Sequence, residues 1–333
     1  MKVVNACVLS TLGSSLVLNS AALLANETCY QSGTNSDGCF YPFAALNLKD
    51  DDGFHYLGFS KIKVLIQQAL SQLFTPADNL ALKDFDILYF LISKDSIHKE
   101  SLKDYFKQLN LSIPVAIVQG DSCKLIEIVH EAKQENKKAI VLAYDDLNEP
   151  SKLSNLFSDD RVKHSENSEG LVPGEVCCGI LVSPDSLESA VDYEITSYGL
   201  ELETVDVPGK IVRAGALVRL VSSLLKAQGV EYHDFSIRFA DINGESPRNF
   251  ETAISTARLQ NQPMTPRLLS LNTVTPCGDA GAANGVLQLA LLYGMCCDQF
   301  LREKIEMREP YLALHQLYGE EGRRGAFITK FRD

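Results

Sequence analysis

The sequence predicts an α/β protein built from two copies of one half. Three observations carry this reading. Strand-like apolar runs alternate with helix-like segments along all 333 residues. Several of those runs are apolar without alternation, as expected of strands covered on both faces. And a strand, a Gly-Asp turn and a helix occur in succession twice, around Gly120-Asp121 and around Gly278-Asp279. That separation is far too long for a solenoid repeat. The halves divide as 1–186 and 187–333, with no Pro/Gly/Ser linker between them, so they are expected to be pressed together.

In chain order, Val3 to Leu9 reads as a buried strand and Ser15 to Ala25 as a helix. The same stretch resembles a signal peptide, but Asn5, Asn19 and Gly13-Ser14-Ser15 interrupt it, and strand–turn–helix is the preferred reading. Cys29 to Asp52 is rich in Gly, Asn, Ser and Asp and reads as loop. Ile62 to Leu73 and Lys99 to Leu109 are helical, with the strand Asp86 to Ser93 between them. Strand Ile113 to Gln119 and helix Lys124 to His130 flank the first Gly-Asp turn. Strand Ala139 to Tyr144 follows, then a polar loop from Asn148 to Gly170 with one helical turn, then strand Val176 to Val182.

The second half reads as strand Val191 to Glu203, helix Ala214 to Gln228, strand Phe235 to Ile242 and helix Arg248 to Leu259. A β-type run, Leu268 to Val274, leads to Pro276-Cys277-Gly278-Asp279 and a helix running towards Phe300. That helix starts small and is apolar on every side, so it is buried. Asp279 is placed to cap it. A hairpin ending in Arg323 to Ile328 closes the chain.

The net charge of −12 and pI near 5.0 argue against a nucleic-acid or anionic-membrane partner, because phosphates need Lys and Arg. No run reaches the length of a membrane span. Nine Cys without CxxC spacing argue for free thiols in a reducing cytoplasm and against a zinc site.

The order of motifs resembles the β-ketoacyl synthase branch of the thiolase-like condensing enzymes. Gly170 to Val182 is similar to that family's Gly-Phe-x-x-Gly-Glu-Gly-Ala strand entry. Lys138 to Asp146, Gly278 to Leu292 and Gly322 to Ile328 resemble its Gly-Gly-x-Asp strand, its Gly-Ala-Ala-Gly helix and its closing strand. The resemblance covers nearly the whole chain and implies a thiolase-like five-layer α-β-α-β-α architecture from two duplicated halves. It implies acyl-CoA or an acyl carrier protein as a partner, a homodimer formed through the strand before Gly120, and no cofactor.

The residues that the family's reaction needs are largely replaced. Its nucleophilic Cys belongs at Gly120-Asp121-Ser122-Cys123. One register puts Asp121 in that place as a cap; a shift of two residues puts Cys123 there. The family's first His loop reads Asp241-Ile242-Asn243-Gly244-Glu245-Ser246 here, without His. Asp279 stands near the place of its second His. An ionised Asp279 would repel an incoming carboxylate and a developing enolate. The candidate site residues are therefore Asp121, Ser122, Cys123, Asp241, Asn243 and Asp279.

Three functions compete. The first is a catalytically degenerate relative that binds an acyl or carrier ligand or a protein partner. Its Asp in the Gly-Ala-Ala motif and its Asn-Gly-Glu loop resemble ketoacyl-synthase-like proteins encoded beside bacterial type VI secretion genes. The second is an acyltransferase using Cys123 or Ser122. The third is a different reaction with Asp121 and Asp279 as acid and base in one cavity. Minor candidates read as structural: Glu175 as a turn-bound carboxylate, Asp145 and Asp146 as capping or interface groups, Arg248 and Glu251 as a surface pair. His164 has no evident partner, and Asp50-Asp51-Asp52 reads as a solvated loop.

Overall fold

The computed structural model describes residues 1–49, 52–75, 80–184, 187, 189, 191–203, 214–260, 268–305 and 311–332. The first half contributes β1 (Lys2–Leu9), α1 (Leu16–Ala25), β2 (Gln31–Thr34), β3 (Phe40–Phe43), α2 (Gly58–Leu73), β4 (Ile87–Ile92), α3 (Lys99–Leu109), β5 (Val115–Gln119), α4 (Lys124–Gln134), β6 (Ala139–Asp146), α5 (Pro150–Ser158) and β7 (Glu175–Ser183). The second contributes β8 (Asp192–Leu202), α6 (Gly215–Gln228), β9 (Ile237–Phe239), α7 (Ser246–Leu259), β10 (Leu269–Leu271), α8 (Val274–Cys277), α9 (Asn284–Cys297), α10 (Gln299–Lys304), β11 (Tyr311–Tyr318) and β12 (Arg323–Arg332). The expected division after residue 186 lies outside the described residues, as do residues 50 and 51 of the Asp run.

Ten strands form one sheet in the order β10-β9-β11-β12-β8-β1-β7-β6-β4-β5. Read inward from either end, the pairing is the same. β9 lies parallel to β10 and β11, with β11–β12 and β12–β8 antiparallel. β4 lies parallel to β5 and β6, with β6–β7 and β7–β1 antiparallel. Lys2–Glu194 and Val3–Tyr193 pair across the β1–β8 seam, and Met1 exchanges backbone hydrogen bonds with Ile195 beside them.

Alternate residues of each strand face opposite sides, and three apolar clusters follow. Cys7, Leu88, Phe90, Leu142 and Leu181 face the outer helices α2 and α3. Leu314, Ala326 and Ile328 face α6 on the opposite flank. Between the half-sheets, Val8, Val141, Ile180, Phe239 and Phe327 pack on α4 and α9. α9 touches β1, β7 and β11, and α4 touches β4, β8 and β12, so both helices are shared by the two half-sheets. The result is the five-layer α-β-α-β-α arrangement. α9 is buried on every side except at its last residue, because it is the central layer.

Ser15 caps α1 by accepting from Leu18 N, which supports the strand–turn–helix reading of the N-terminal segment. Three segments differ from expectation. The loop 29–52 contains the β2–β3 hairpin. Its turn is made by Asn35, whose side chain accepts from Asp37 and Cys39 amides, and by Gly38 at φ +81°; short polar strands carry little periodic signal. The run 268–274 is a three-residue strand, after which the chain turns into α8. The long final helix breaks at Asp298, which is extended and caps α10 by accepting from Leu301 N.

His315 on β11 is fully buried, stacked on Phe239 at 4.8 Å, and bonded through Nε2 to Thr329 Oγ1 at 3.0 Å. Burial pushes its imidazole down to about 3. Between that value and the ordinary 6.5 the unfolded chain binds a proton that the folded chain refuses. Its contribution to stability is therefore full above the unfolded value and lost as pH falls towards the folded one. His315→Gln should lower the loss of stability between pH ~7 and ~4.5 by about 3 kcal/mol, read as urea midpoints at the two pH values.

Candidate functional site

The two Gly-Asp turns meet. A cavity of about 800 Å³ is lined by Gly120, Asp121 and Ser122 from one turn and by Asp279, Gly281 and Ala282 from the other. Lys152 and Arg161 from the α5 region, Arg248 from α7, and Asp145 and Tyr318 from the ends of β6 and β11 complete the charged wall. A Cβ on Gly285 would lie 2.8 Å from the Ser122 carbonyl oxygen, so α9 passes the first turn only because that position has no side chain.

Internal carboxylates occupy the single turn, Gly281–Ala283, that leads into α9; the expected Asp279 cap of α9 itself does not form, since Ala283 precedes the helix without a side-chain cap. Asp279 Oδ1 accepts from Gly281 N at 2.9 Å, and Asp145 Oδ2 accepts from Ala282 N at 2.8 Å. Asn284, the first residue of α9, donates to Asp241 Oδ1 at 2.6 Å and accepts from Thr273 Oγ1 at 2.5 Å. A helix start offers unpaired amides and a positive end to an anion. Here the chain's own acids take both.

Asp241 lies behind the cavity wall, buried. It accepts from Arg248 Nη1 at 3.2 Å and from Tyr318 N at 2.9 Å. Burial pushes its carboxyl up to about 6; Arg248 opposes this, and Asp279 adds to it. Asn243 donates to Asp279 Oδ2 at 2.9 Å and to Glu245 Oε2 at 2.7 Å. Glu245 in turn accepts from Arg161 Nε and Nη2, at 2.7 and 3.0 Å. Burial works against the charge of Glu245, but Arg161 outweighs it and holds the carboxyl below its usual range.

At the first turn, Asp121 accepts from Cys123 N at 2.9 Å and from Glu320 N at 2.8 Å, with Arg323 at 3.6 Å. Ser122 Oγ lies on the cavity wall and donates to the Tyr318 carbonyl at 3.3 Å. Cys123 immediately precedes α4, but its sulfur faces Leu317 O at 3.8 Å, under Gly325. Burial, reinforced by Asp121, pushes this thiol far above its ordinary range. Reactive thiols need the opposite environment.

Of the residues singled out from the sequence, the structure places Asp121, Ser122 and Asp279 on the wall, Asp241 and Asn243 just behind it, and Cys123 in the core. Asp121 and Asp279 do share one cavity. No histidine lines it among the described residues. The surface pair expected of Arg248 and Glu251 does not form. Arg248 turns to Asp241, whereas Glu251 is buried and receives Arg324 at 2.7 and 2.8 Å. His164 does have a partner, Asp160 at 3.3 Å. Glu175 accepts from Leu46 N and from Lys61, and Asp146 accepts from Asn148 N. Lys152, Arg161 and Tyr318 were not singled out from the sequence. Lys152 and Arg161 lie in or beside a polar segment without periodicity, and Tyr318 ends an apolar strand.

No protein-family model and no curated protein sequence matches the chain. Solved structures do. A ketosynthase from module 6 of the bacillaene synthase of Bacillus subtilis 168 is 11% identical, with a TM-score of 0.74 over 100% of this chain and 72% of that one. A type II PKS acyl-carrier protein complex with its ketosynthase bound to the hexaketide gives 12% identity and a TM-score of 0.75, covering 100% of this chain and 99% of that one. A ketosynthase in complex with its chain length factor, from Xenorhabdus doucetiae, gives 12% and 0.72, covering 99% and 98%. The chain has the thiolase-like fold. Its architecture is like that of these ketosynthases.

The turn before α9 sets a test. Gly281 has φ +48°, and a Cβ there would collide with the Asp145 carboxylate. Gly281→Ala should cost roughly 2–4 kcal/mol, from left-handed strain and displacement of a cap. Gly229→Ala, at φ +65° with open space around it, should cost only the strain, about 1–2 kcal/mol. Urea midpoints of the two variants check the difference.

Proposed function

We propose that this protein is a ketosynthase-fold binding protein that forms no acyl-enzyme. The observation that carries the reading is the first turn: Asp121 faces the cavity, while the sulfur of Cys123 is packed beneath the closing hairpin. A thioester entering the cavity meets carboxylates that already hold the amides of the turn before α9 and, among the described residues, no imidazole. A malonyl-type anion would approach Asp121 and Asp279 against like charge. The protein then acts through what it holds: an acyl or carrier ligand, or a protein partner. The likeness of its Asp and Asn-Gly-Glu motifs to secretion-associated synthase-like proteins extends the reading to a secretion assembly.

Incubation with acyl-CoA or acyl-carrier thioesters, followed by intact mass and peptide mapping, should give no adduct on Ser122 or Cys123. Iodoacetamide on the native protein should label exposed Cys29 and Cys297 and leave Cys123 untouched. An acyl adduct at either residue would replace this reading with the acyltransferase one.

A second copy of the chain is the partner favoured by the sheet. β5 closes one end of the strand order, with one edge unpaired among the described residues. Beside it Phe106, Leu111, Ile113 and Ile117 line a groove of about 470 Å³. An open edge is a template for another strand. Light scattering should report a dimer at micromolar concentration and a monomer for Ile117→Asp; a monomeric parent protein would remove the proposal.

A further inference from the structure

Of the three cations that line the cavity among the described residues, Arg248 is the least committed to a carboxylate. Lys152 is nearly buried and bonded to Asp145 at 2.5 Å. Arg161 gives two N–H groups to Glu245. Arg248 gives one N–H to Asp241, at 3.2 Å. Its guanidinium leans on the Tyr318 ring, 5.9 Å from the centroid, and its side chain keeps a quarter of its surface exposed, on the cavity wall. A guanidinium has five donors, so Arg248 presents an unused edge to the cavity. Among the described residues nothing else receives it.

The charge around that edge is not positive. Lys152, Arg161 and Arg248 are matched by Asp145, Glu245 and Asp241. Asp95, Asp121, Asp159, Glu320 and Glu321 make the lining more acidic still, and beside Arg248 the carboxylate with no bonded cation, among the described residues, is Asp279. It lines the same cavity and is 4% exposed. Its donors are neutral, an amide and an Asn side chain, which fill two of the roughly four acceptor positions of a carboxylate. Asp279 is close enough to Arg248 to help hold it charged. A polyanion would satisfy Arg248 and be repelled by Asp279; a simple amine would do the reverse. A ligand carrying both charges a few atoms apart satisfies both.

We infer that the cavity binds a small zwitterion of the α-amino-acid type, its carboxylate forked on Arg248 and its ammonium on Asp279. This rests on the reading of the cavity as a binding rather than an acyl-transfer site, and it names the ligand class. Arg suits the role because its planar donors match a carboxylate bidentately. Asn243 positions the Asp279 carboxylate from behind.

Each of the protein amino acids, added singly at about 10 mM to the intact protein, provides the probe set. At least one should raise the melting temperature by about 2 °C or more. The N-acetyl and methyl-ester derivatives of that amino acid, which each lack one charge, should give no rise. Arg248→Gln should abolish the response. No response to any amino acid would overturn the inference. So would an equal response to either derivative, which needs no variant to fold, or a response that survives in Arg248→Gln. An acyl adduct in the thioester experiment would defeat the binding-protein reading instead, and the two failures are read on separate assays.

Discussion

The start of α9 is the constraint on which the rest of the site depends. This helix is the central layer, with both half-sheets pressed against it, and the amides of the turn that leads into it lie largely inside the protein. Orphan amides in such a place must find partners inside the protein. Asp279 and Asp145 supply them. Once those carboxylates are buried they need donors or counter-charges of their own. Lys152 answers Asp145, Asn243 answers Asp279, and Arg161 anchors Asn243 through Glu245. Asp241 repeats the logic one residue into the helix, with Asn284, Arg248 and Tyr318 as its partners. Residues distant in sequence are drawn to one spot because each buried charge requires the next.

The same constraint separates fold from chemistry. A thiolase-like fold brings two helix starts together at the centre of the molecule, which is an electrostatic opportunity for any group that develops negative charge. Here the opportunity is used within the chain. Asp121 takes the amides beside α4, Asp279 and Asp145 those of the turn before α9, and the nearby thiol turns into the core, where burial keeps it protonated. What remains is a polar cavity with more acids than cations, in which Arg248 keeps open donors beside the Asp279 carboxylate. Such a wall discriminates by the charge pattern of what enters it.

Much of the architecture was legible from the residues. The non-alternating apolar runs correspond to β4, β6 and β7, each covered on both faces. The all-apolar helix is the central α9. The two Gly-Asp turns do lie at one cavity, and Gly285 shows why small residues sit there. The β2–β3 hairpin was not legible, because Gln31–Thr34 is polar and its order comes from pairing with Phe40–Phe43. The partners Lys152 and Arg161 were hidden because they come from a segment without periodicity, placed only when α5 packs beside the cavity.

The sequence by itself determined the alternation of strands and helices and the burial of α9, since composition and periodicity are local properties. The tertiary structure alone decided the register at 120–123, because whether Asp121 or Cys123 faces the cavity depends on where the β11–β12 hairpin lies. It also decided which charges pair: Arg248 with Asp241 rather than Glu251, and Arg324 with Glu251. Burial and distance set those choices, and neither exists until the layers close on one another.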